Sequence, residues 1–338
     1  MSRSIDIYGI GNALVDTEIT LTDDELNALG VEKGVMTLID EARQTEMINQ
    51  LNNHLVASKR ASGGSAANTV VGAAYLGSNA FYSCKVANDE NGAFYLNDIR
   101  EAGVATPSQT NLSEGITGKC LVLITPDAER SMNTFLGISQ EFSVHELDLN
   151  ALANSRFVYI EGYLVSSPTG RAAAIKLREE AKKQGTLTTL SLSDPAMVQF
   201  FRDGLLEMIG DGVDIIFCNQ DEAIGFTQTQ SLDDAITQLK TFAKQFAITR
   251  GAQGAVIFDG KHLIEVSAPK VTAIDTNGAG DMFAGAFLHA ICQGKDYKTA
   301  GEFACIAAAK VVSQFGPRLK PEQYAALKLE LESELELK

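Results

Sequence analysis

The chain has 338 residues and a mass of 36.2 kDa, which predicts one large α/β unit with an appendage. Its 45% hydrophobic and 21% charged residues, with 29 Gly and 7 Pro, exclude a disordered, collagen-like or coiled-coil chain. The 28 basic and 43 acidic residues give a net charge of −15, which argues against nucleic acid or a membrane surface as partner.

Short β-branched runs alternate with segments of helical periodicity. Strands are predicted at residues 5–8, 81–86, 157–160, 187–190, 214–218 and 246–249. Helices are predicted at residues 40–52, 66–75, 91–102, 168–184 with Ser167 as N-cap, 232–244 and 279–293. This alternation predicts an α/β fold with a mainly parallel sheet covered on both faces, and ligands at the carboxyl ends of its strands.

Residues 14–39 and 115–137 break this alternation. Within the second segment, residues 119–125 and 131–136 flank a Pro126-Asp127 turn, a pattern typical of a β-hairpin. We therefore predict a discontinuous β lid, residues 14–39 and 115–137, beside a large domain of residues 1–13, 40–114 and 138–338. The tail, residues 327–338, is rich in Leu, Glu and Lys and predicts a surface helix.

The cysteines and the apolar segments indicate a cytoplasmic protein. The five cysteines are odd in number, scattered and without a Cys-x-x-Cys pair, which favours a reducing compartment. Residues 1–6 lack the apolar segment of a secretory signal. Residues 61–84 are uncharged, but their Gly, Ser and Asn content makes them too polar to span a bilayer.

The most informative motif is Asp275-Thr276-Asn277-Gly278-Ala279-Gly280-Asp281, which precedes an apolar helical segment. Its small residues let a ligand approach the backbone, and the N–H groups of the following helix favour an anion such as a nucleotide phosphate. Asp281 at this position could accept a proton from a hydroxyl group while those N–H groups stabilise a transferred phosphoryl group. The alternative is that both acids only cap a tight turn.

This motif resembles the C-terminal signature of the ribokinase-like carbohydrate kinases, also called the phosphofructokinase B family. The resemblance implies a three-layer sandwich with a small β lid. It also implies that Asp281 is the catalytic base and that Gly278, Ala279 and Gly280 donate backbone N–H groups to the transferred phosphate. Asp275 would then lie near a monovalent cation, such as K⁺, in those members that bind one.

Two further segments carry candidate acceptor-binding residues. Gly63-Gly64-Ser65-Ala66-Ala67-Asn68 resembles the family's N-terminal signature, in which Gly63 and Gly64 let the main chain approach a sugar and Asn68 offers both donor and acceptor. Asp16 follows the first strand in Gly11-Asn12-Ala13-Leu14-Val15-Asp16, a pattern similar to that of the adenosine kinase-like branch. A carboxylate there suits two neighbouring hydroxyls, although a loop Asp often only forms an Asx-turn.

Three other elements are assigned to the nucleotide by resemblance. Asn219-Gln220-Asp221-Glu222 matches the family's Asn-x-x-Glu element, in which Glu222 would hold Mg²⁺ through water. Thr249-Arg250-Gly251-Ala252-Gln253-Gly254 resembles the nucleotide loop, in which Thr249, Gly251 and Gly254 would approach the phosphates of ATP. Arg130 resembles a lid arginine that moves toward the phosphates on closure, and a solvated hairpin arginine is the alternative.

Other site patterns are excluded. Gly9-x-Gly11 lacks the third glycine of a dinucleotide fingerprint, residues 115–119 lack the spacing of a P-loop, and no Gly-x-Ser-x-Gly elbow occurs. The four histidines have no metal-ligand spacing.

Residues 159–163 and 191–195 also resemble adenosine kinase-like segments, although Asp194 and Ala196 replace a small residue and an aromatic typical of that branch. The resemblance implies transfer of the γ-phosphate of ATP to the 5′-hydroxyl of a ribonucleoside such as adenosine. A kinase of ribose, fructose or a related sugar is the alternative, and a non-catalytic ligand-binding regulator is the second. The sequence leaves open whether the chain is a monomer or a homodimer.

Overall fold

The computed structural model describes residues 3–51, 54, 59–108, 112–127 and 129–336. Two β-sheets organise them, a large, mainly parallel sheet and a smaller, mixed sheet. Within these residues, no helix has the length and apolar character that a bilayer span requires.

The large sheet has the strand order β13-β12-β11-β10-β9-β8-β1-β5, and β12 runs antiparallel to its two neighbours while the other pairs are parallel. Its strands are β1 (Ile5–Ile10), β5 (Ala80–Ser83), β8 (Ser155–Ile160), β9 (Leu187–Ser191), β10 (Val213–Asn219), β11 (Ala243–Thr249), β12 (Ala255–Phe258) and β13 (Leu263–Val266). The mainly parallel sheet expected from the sequence is confirmed.

The small sheet has the order β3-β7-β6-β2-β4. Its strands are β2 (Leu14–Thr20), β3 (Met36–Leu38), β4 (Lys59–Gly63), β6 (Gly118–Ile124) and β7 (Arg130–Phe135). The β6–β7 pair is the antiparallel hairpin that the sequence predicted. Strand β4 pairs with β2, although it lies outside both segments assigned to the lid. The division into domains therefore stays a prediction.

Helices cover both faces of the large sheet and the outer face of the small sheet. They are α1 (Asp23–Ala28), α2 (Glu41–Gln50), α3 (Ser65–Leu76), α4 (Glu90–Glu101), α5 (Leu149–Ala153), α6 (Pro168–Gln184), α7 (Pro195–Ile209), α8 (Gln220–Thr227), α9 (Leu232–Leu239), α10 (Ala279–Cys292), α11 (Tyr297–Val312) and α12 (Pro321–Glu336). Ser167 accepts a hydrogen bond from the N–H of Gly170 and is the N-cap of α6, as predicted.

Alternate residues of the central strands enter two separate cores. On β8, Phe157 and Tyr159 pack with α3, α10 and α11, whereas Val158 and Ile160 pack with α6 and α7. A strand turns successive side chains to opposite faces, so each buried strand supplies both cores. The result is the expected three-layer sandwich.

Three predicted boundaries are wrong. The helix predicted at 232–244 ends at Leu239, because Ala243 already begins β11 between two buried strands. The strand predicted at 81–86 ends at Ser83. The tail forms a helix that begins at Pro321, and Leu327 is fully buried instead of at the surface. Residue 52 of the predicted helix 40–52 and residues 337–338 of the tail lie outside the described residues.

The small sheet uses its two faces differently. Its outer face packs against α1 and α2 through an apolar cluster that includes Leu26, Met47, Leu121 and Leu123. Its inner face carries Asp16, Cys120 and Met132 toward a cavity at the carboxyl ends of β8 to β11. The fold therefore closes one cavity between the two sheets, at the position expected for an open parallel sheet.

Candidate active site

The cavity has a volume of about 900 Å³, at the large end of the range for small-molecule sites. Of the residues predicted from sequence, it gathers Asp16, Gly64, Asn68, Arg130, Asn219, Glu222, Thr249, Gly251, Gly278, Ala279, Gly280 and Asp281. Gly63, Gly254 and Asp275 lie behind its wall. The predicted acceptor, transfer and nucleotide residues therefore face a common space.

The first turn of α10 presents backbone donors to the cavity. Gly278 is the N-cap with φ 74°, a conformation that favours glycine, and a Cβ there would overlap Pro317. The N–H of Ala279 is bonded to the carbonyl of Thr276 at 3.3 Å. The N–H groups of Gly280 and Asp281 have no acceptor among the described residues. This turn is a site for an anion that needs two donors and the helix dipole.

Asp281 is held by two hydrogen bonds at the entrance of α10. The Ser65 hydroxyl donates to Oδ1 at 2.6 Å, and Nδ2 of Asn68 donates to Oδ2 at 3.0 Å. Burial raises the pKa of Asp281 to about 6, against the lowering effect of these two bonds and of Arg318. Within the described part of the chain, Asp281 forms no ion pair, so its carboxylate is oriented but not neutralised.

Asp16 points into the cavity without a protein partner. Its side chain is buried, and within the described residues it forms no hydrogen bond. Burial raises its pKa to about 7, and the carboxylates of Glu18 and Asp281 act in the same direction against Arg318 and Arg130. Gly63 lies against this carboxylate, where a Cβ would overlap it. A buried carboxylate without a partner is costly unless a ligand supplies the donors.

The loop before α3 brings its backbone close to β1. Gly64 has φ 98°, and a Cβ there would overlap the carbonyl of Asn12. Glu161, which follows β8, fixes this junction: Oε1 accepts from the N–H and the amide of Asn12, and Oε2 accepts from the N–H of Ala66 at 2.8 Å. Burial raises the pKa of Glu161 to about 7.

Sequence reasoning assigned no role to Glu161, Ser65 or Arg318. Glu161 and Ser65 stand inside the segments that carry the family resemblance, so they were open to discovery from the sequence. Arg318 stands about 40 residues after the motif in an ordinary Gly-Pro-Arg turn, which gives no sequence signal.

Glu222 lies on the cavity wall at the start of α8. Its carboxylate accepts from the backbone N–H of Asn219 at 3.0 Å and from the Asn219 side-chain amide at 2.7 Å. Burial raises the pKa of Glu222 to about 7, and Asp194, Asp221 and Asp281 add to the rise. A cation among these carboxylates would relieve their repulsion, so the residues fit Mg²⁺.

The metal would be carried by the nucleotide phosphates. Among the described residues, no group of three or more His, Cys, Asp and Glu side chains is arranged to hold a metal alone. Mg²⁺ keeps most of its waters and needs few protein ligands, so contact with Glu222 through water suffices.

The loop after β11 borders the same cavity. Thr249 and Gly251 line it, and Gly254 turns the chain into β12, where a Cβ would overlap the carbonyl of Val266. Arg250 also lines the cavity and is bonded to Glu265 at 3.0 Å. The role of this loop toward ATP stays a prediction.

Asp275 is engaged by donors on both oxygens. Oδ1 accepts from the N–H of Asn277 at 3.0 Å, and Oδ2 accepts from the N–H of Gly316 at 2.6 Å and is in contact with the Arg130 guanidinium. Arg130 also pairs with Glu18 at 3.2 Å. This carboxylate is already neutralised by a buried guanidinium, which disfavours the monovalent cation that the resemblance implies for some family members. Arg130 itself is buried in this pair, not solvated on the hairpin.

The position where the sequence departs from its branch has a structural function. Asp194 is the N-cap of α7, and its Oδ1 accepts from the N–H of Ala196 at 2.7 Å. The preceding residue, Ser193, has φ 73°, which places backbone strain on the cavity wall. Asp194 therefore anchors a helix beside the cavity.

Comparisons with known proteins identify the family. Residues 35–323 match the pfkB family carbohydrate kinase model. The chain is 30% identical to an adenosine kinase of Saccharomyces cerevisiae over 93% of its own length and 96% of the yeast protein.

Two solved structures have the same fold. A probable sugar kinase from Rhizobium etli matches with a TM-score of 0.89 and 34% identity, over 98% of this chain and 100% of that one. An adenosine kinase from Sinorhizobium meliloti matches with a TM-score of 0.89 and 34% identity, over 97% and 99%. The chain therefore belongs to the pfkB family of carbohydrate kinases and is an ATP-dependent kinase that acts on a hydroxyl group.

Proposed function

We propose that this kinase phosphorylates the 5′-hydroxyl of adenosine. The observation that carries the proposal is the position of Asp281, which is oriented by Ser65 and Asn68 beside the free N–H groups of α10. The same cavity holds Asp16, whose carboxylate accepts no hydrogen bond from the described residues. A substrate that reaches both residues needs a diol to donate to Asp16 and a primary hydroxyl to face Asp281.

The apolar wall around Asp16 favours a nucleoside over a free sugar. The inner face of the small sheet contributes apolar side chains to the cavity, namely Leu14, Met36, Leu38, Cys120, Met132 and Leu136. A flat base buries apolar area against such a wall, whereas a sugar would leave its hydroxyls there without partners. Adenosine kinases are also prominent among the relatives of the chain.

Transfer depends on position and charge. Asp281 accepts the proton of the acceptor hydroxyl as the hydroxyl oxygen attacks the γ-phosphorus of ATP. The bond between that phosphorus and the β,γ-bridging oxygen breaks, and ADP leaves. The N–H groups of Gly280 and Asp281 stabilise the charge on the transferred phosphoryl oxygens. Glu222 would hold Mg²⁺ through water when the metal arrives with the nucleotide, and the metal would supply further charge neutralisation. Glu222, Thr249 and Gly251 form the nucleotide end of the cavity.

A substrate panel tests the acceptor. Adenosine, guanosine, cytidine, ribose and fructose are each incubated with ATP, Mg²⁺ and enzyme, and kcat/KM is measured. Adenosine should give the highest value, and AMP should be the product. The matched control is 5′-deoxyadenosine, which lacks the acceptor hydroxyl and should compete with adenosine without being phosphorylated. A higher kcat/KM for ribose or fructose would replace this proposal with a sugar kinase.

A substitution tests the base. Asp281→Asn should lower kcat by at least about 100-fold with little change in ATP affinity, because the amide cannot accept the proton. Full turnover by this variant would remove Asp281 from the mechanism. If the panel yields no product while ATP binds, the chain is a non-catalytic ligand-binding regulator. A cytoplasmic location stays a prediction, with the five cysteines buried and free.

A further inference from the structure

Arg318 lies on the turn between α11 and α12, and three neighbouring elements hold its side chain. Nε donates to Oδ1 of Asn68 on α3 at 2.8 Å. Nη1 donates to the hydroxyl of Ser62 on β4 at 2.9 Å and to Oδ2 of Asp98 on α4 at 3.3 Å. The side chain is 13% exposed. Its guanidinium is therefore a fixed group next to the candidate acceptor loop.

These contacts determine which way the Asn68 amide faces. A guanidinium can only donate, so the amide oxygen of Asn68 must face Arg318. Nδ2 then faces Oδ2 of Asp281, and that oxygen must accept. The hydrogen bonds from Arg318 to Asn68 and from Asn68 to Asp281 therefore have only one possible donor-to-acceptor direction. They require that Oδ2 of Asp281 carries no proton.

We propose that Arg318 is a positioning residue for phosphoryl transfer, which acts through Asn68 to keep the Asp281 carboxylate oriented and ionised. This inference rests on the proposed role of Asp281 as the base. Arg318 does not line the cavity and has no contact with the reacting groups. It affects the reaction through the amide and through its charge.

The positive charge of Arg318 matters because several carboxylates surround Asp281 in the cavity. Asp16 on β2, Glu161 after β8 and Glu222 on α8 each interact unfavourably with an ionised Asp281. Tyr159 and Tyr163 also face it, and burial keeps both of them neutral. Burial raises the pKa of Asp281, the hydrogen bonds from Ser65 and Asn68 lower it, and the positive charge of Arg318 lowers it further. Without Arg318, the base should hold its proton at higher pH.

The experiment compares the pH dependence of kcat in Arg318→Met and Arg318→Gln with the parent enzyme. Both variants lose the charge, and Gln retains one donor for Asn68. We expect the acid limb of kcat to move up by about one pH unit in both, since loss of a nearby opposite charge shifts a carboxyl by about that amount. Arg318→Lys retains the charge and should leave the limb near its original position.

Asp98→Asn is the matched structural control. It weakens the anchor of the same guanidinium without touching Asn68, so it should lower Tm and leave the acid limb unchanged. An unchanged limb in both Arg318→Met and Arg318→Gln would overturn the inference, and so would an equal shift in Asp98→Asn. If Arg318→Met does not fold, Arg318→Gln decides the question alone.

Asp281→Asn separates this inference from the proposed function. If Asp281→Asn is inactive and the Arg318 variants keep the parent pH profile, only the positioning role fails. If Asp281→Asn keeps full turnover, the proposed base fails and the positioning role fails with it.

Discussion

The guanidinium of Arg130 on β7 meets the carboxylate of Asp275 in a buried ion pair that joins the small sheet to the loop before α10. Glu18 on β2 completes the arrangement at 3.2 Å from Nη1. Because both partners of the pair are almost fully buried, neither charge is supported by water once the other is removed.

Removal of one partner should therefore be costly. Arg130→Met should lower the free energy of unfolding by about 3 kcal/mol, because it leaves Asp275 buried without a cation. The double variant Arg130→Met, Asp275→Asn should recover a large part of this loss, since the amide oxygen still accepts from the loop. Urea unfolding followed by circular dichroism measures the parent enzyme, the two single variants Arg130→Met and Asp275→Asn, and the double variant. Additive losses would show that the two groups are not coupled.

The same pair predicts independence from monovalent cations. With Asp275 already bound to Arg130 and to two backbone N–H groups, K⁺ has no free carboxylate oxygen pair to bind. At constant ionic strength, kcat in KCl should be within about twofold of kcat in choline chloride. Tm in the two salts gives a second readout. Strong activation and stabilisation by K⁺ would contradict this arrangement.

A substitution at Gly280 should weaken phosphate binding without lowering stability. A Cβ at this position would meet no protein atom within 4 Å, so Gly280→Ala should fold normally and even gain from the helix propensity of Ala. The added methyl group would project beside the free N–H groups of α10. We expect kcat/KM for ATP to fall at least about tenfold with Tm unchanged or raised.

Gly225→Ala is the control for that substitution, because Gly225 is also helical and lies outside the cavity lining. It should leave kcat/KM within about twofold of the parent value. Equal effects of the two substitutions would mean that Gly280 has no special relation to phosphate.

Asp16 should make the ligand-free protein sensitive to pH. Its pKa is raised from an ordinary value near 4 to about 7, chiefly by burial, so its contribution to stability is fully present at low pH and lost as pH rises through 7. Asp16→Asn removes this loss. Its Tm should exceed that of the parent at pH 8 and converge with it toward pH 4, as calorimetry can measure.

The same substitution that raises Tm should weaken the binding of the acceptor nucleoside. Asp16→Asn replaces an acceptor of two hydroxyl groups, so KM for adenosine should rise while KM for 2′-deoxyadenosine changes less. A Tm difference that is the same at all pH values, or an unchanged KM for adenosine, would show that Asp16 has no role in acceptor binding.

The sequence predicted the parts of this fold that have clear periodicity or local chemistry. The helix 168–184 has an N-cap, a first-turn Pro and a C-terminal Gly185, and its predicted bounds are those observed. Strand β4, by contrast, reads Lys-Arg-Ala-Ser-Gly and has no apolar alternation, because its ladder to β2 comes from tertiary pairing. Helix α11 is buried on most sides and rich in Ala, so its pattern lacks an amphipathic period.

The site shows the same limit. Motifs and resemblance indicated Asp16, Asn68 and Asp281, because each stands beside glycines whose spacing is informative. They did not indicate Arg318, which reaches Asn68 across 250 residues of chain. Its function depends on the direction of an amide in three dimensions, which no local pattern encodes.

The two helices that follow β2 and β3 give the small sheet its own apolar core. Leu26 and Met47 fill the face of the sheet that points away from the cavity, so within the described residues this chain itself covers most of the apolar surface there. Self-sufficiency of this kind predicts that specific activity stays constant on dilution, with one polypeptide assembling every group its reaction needs.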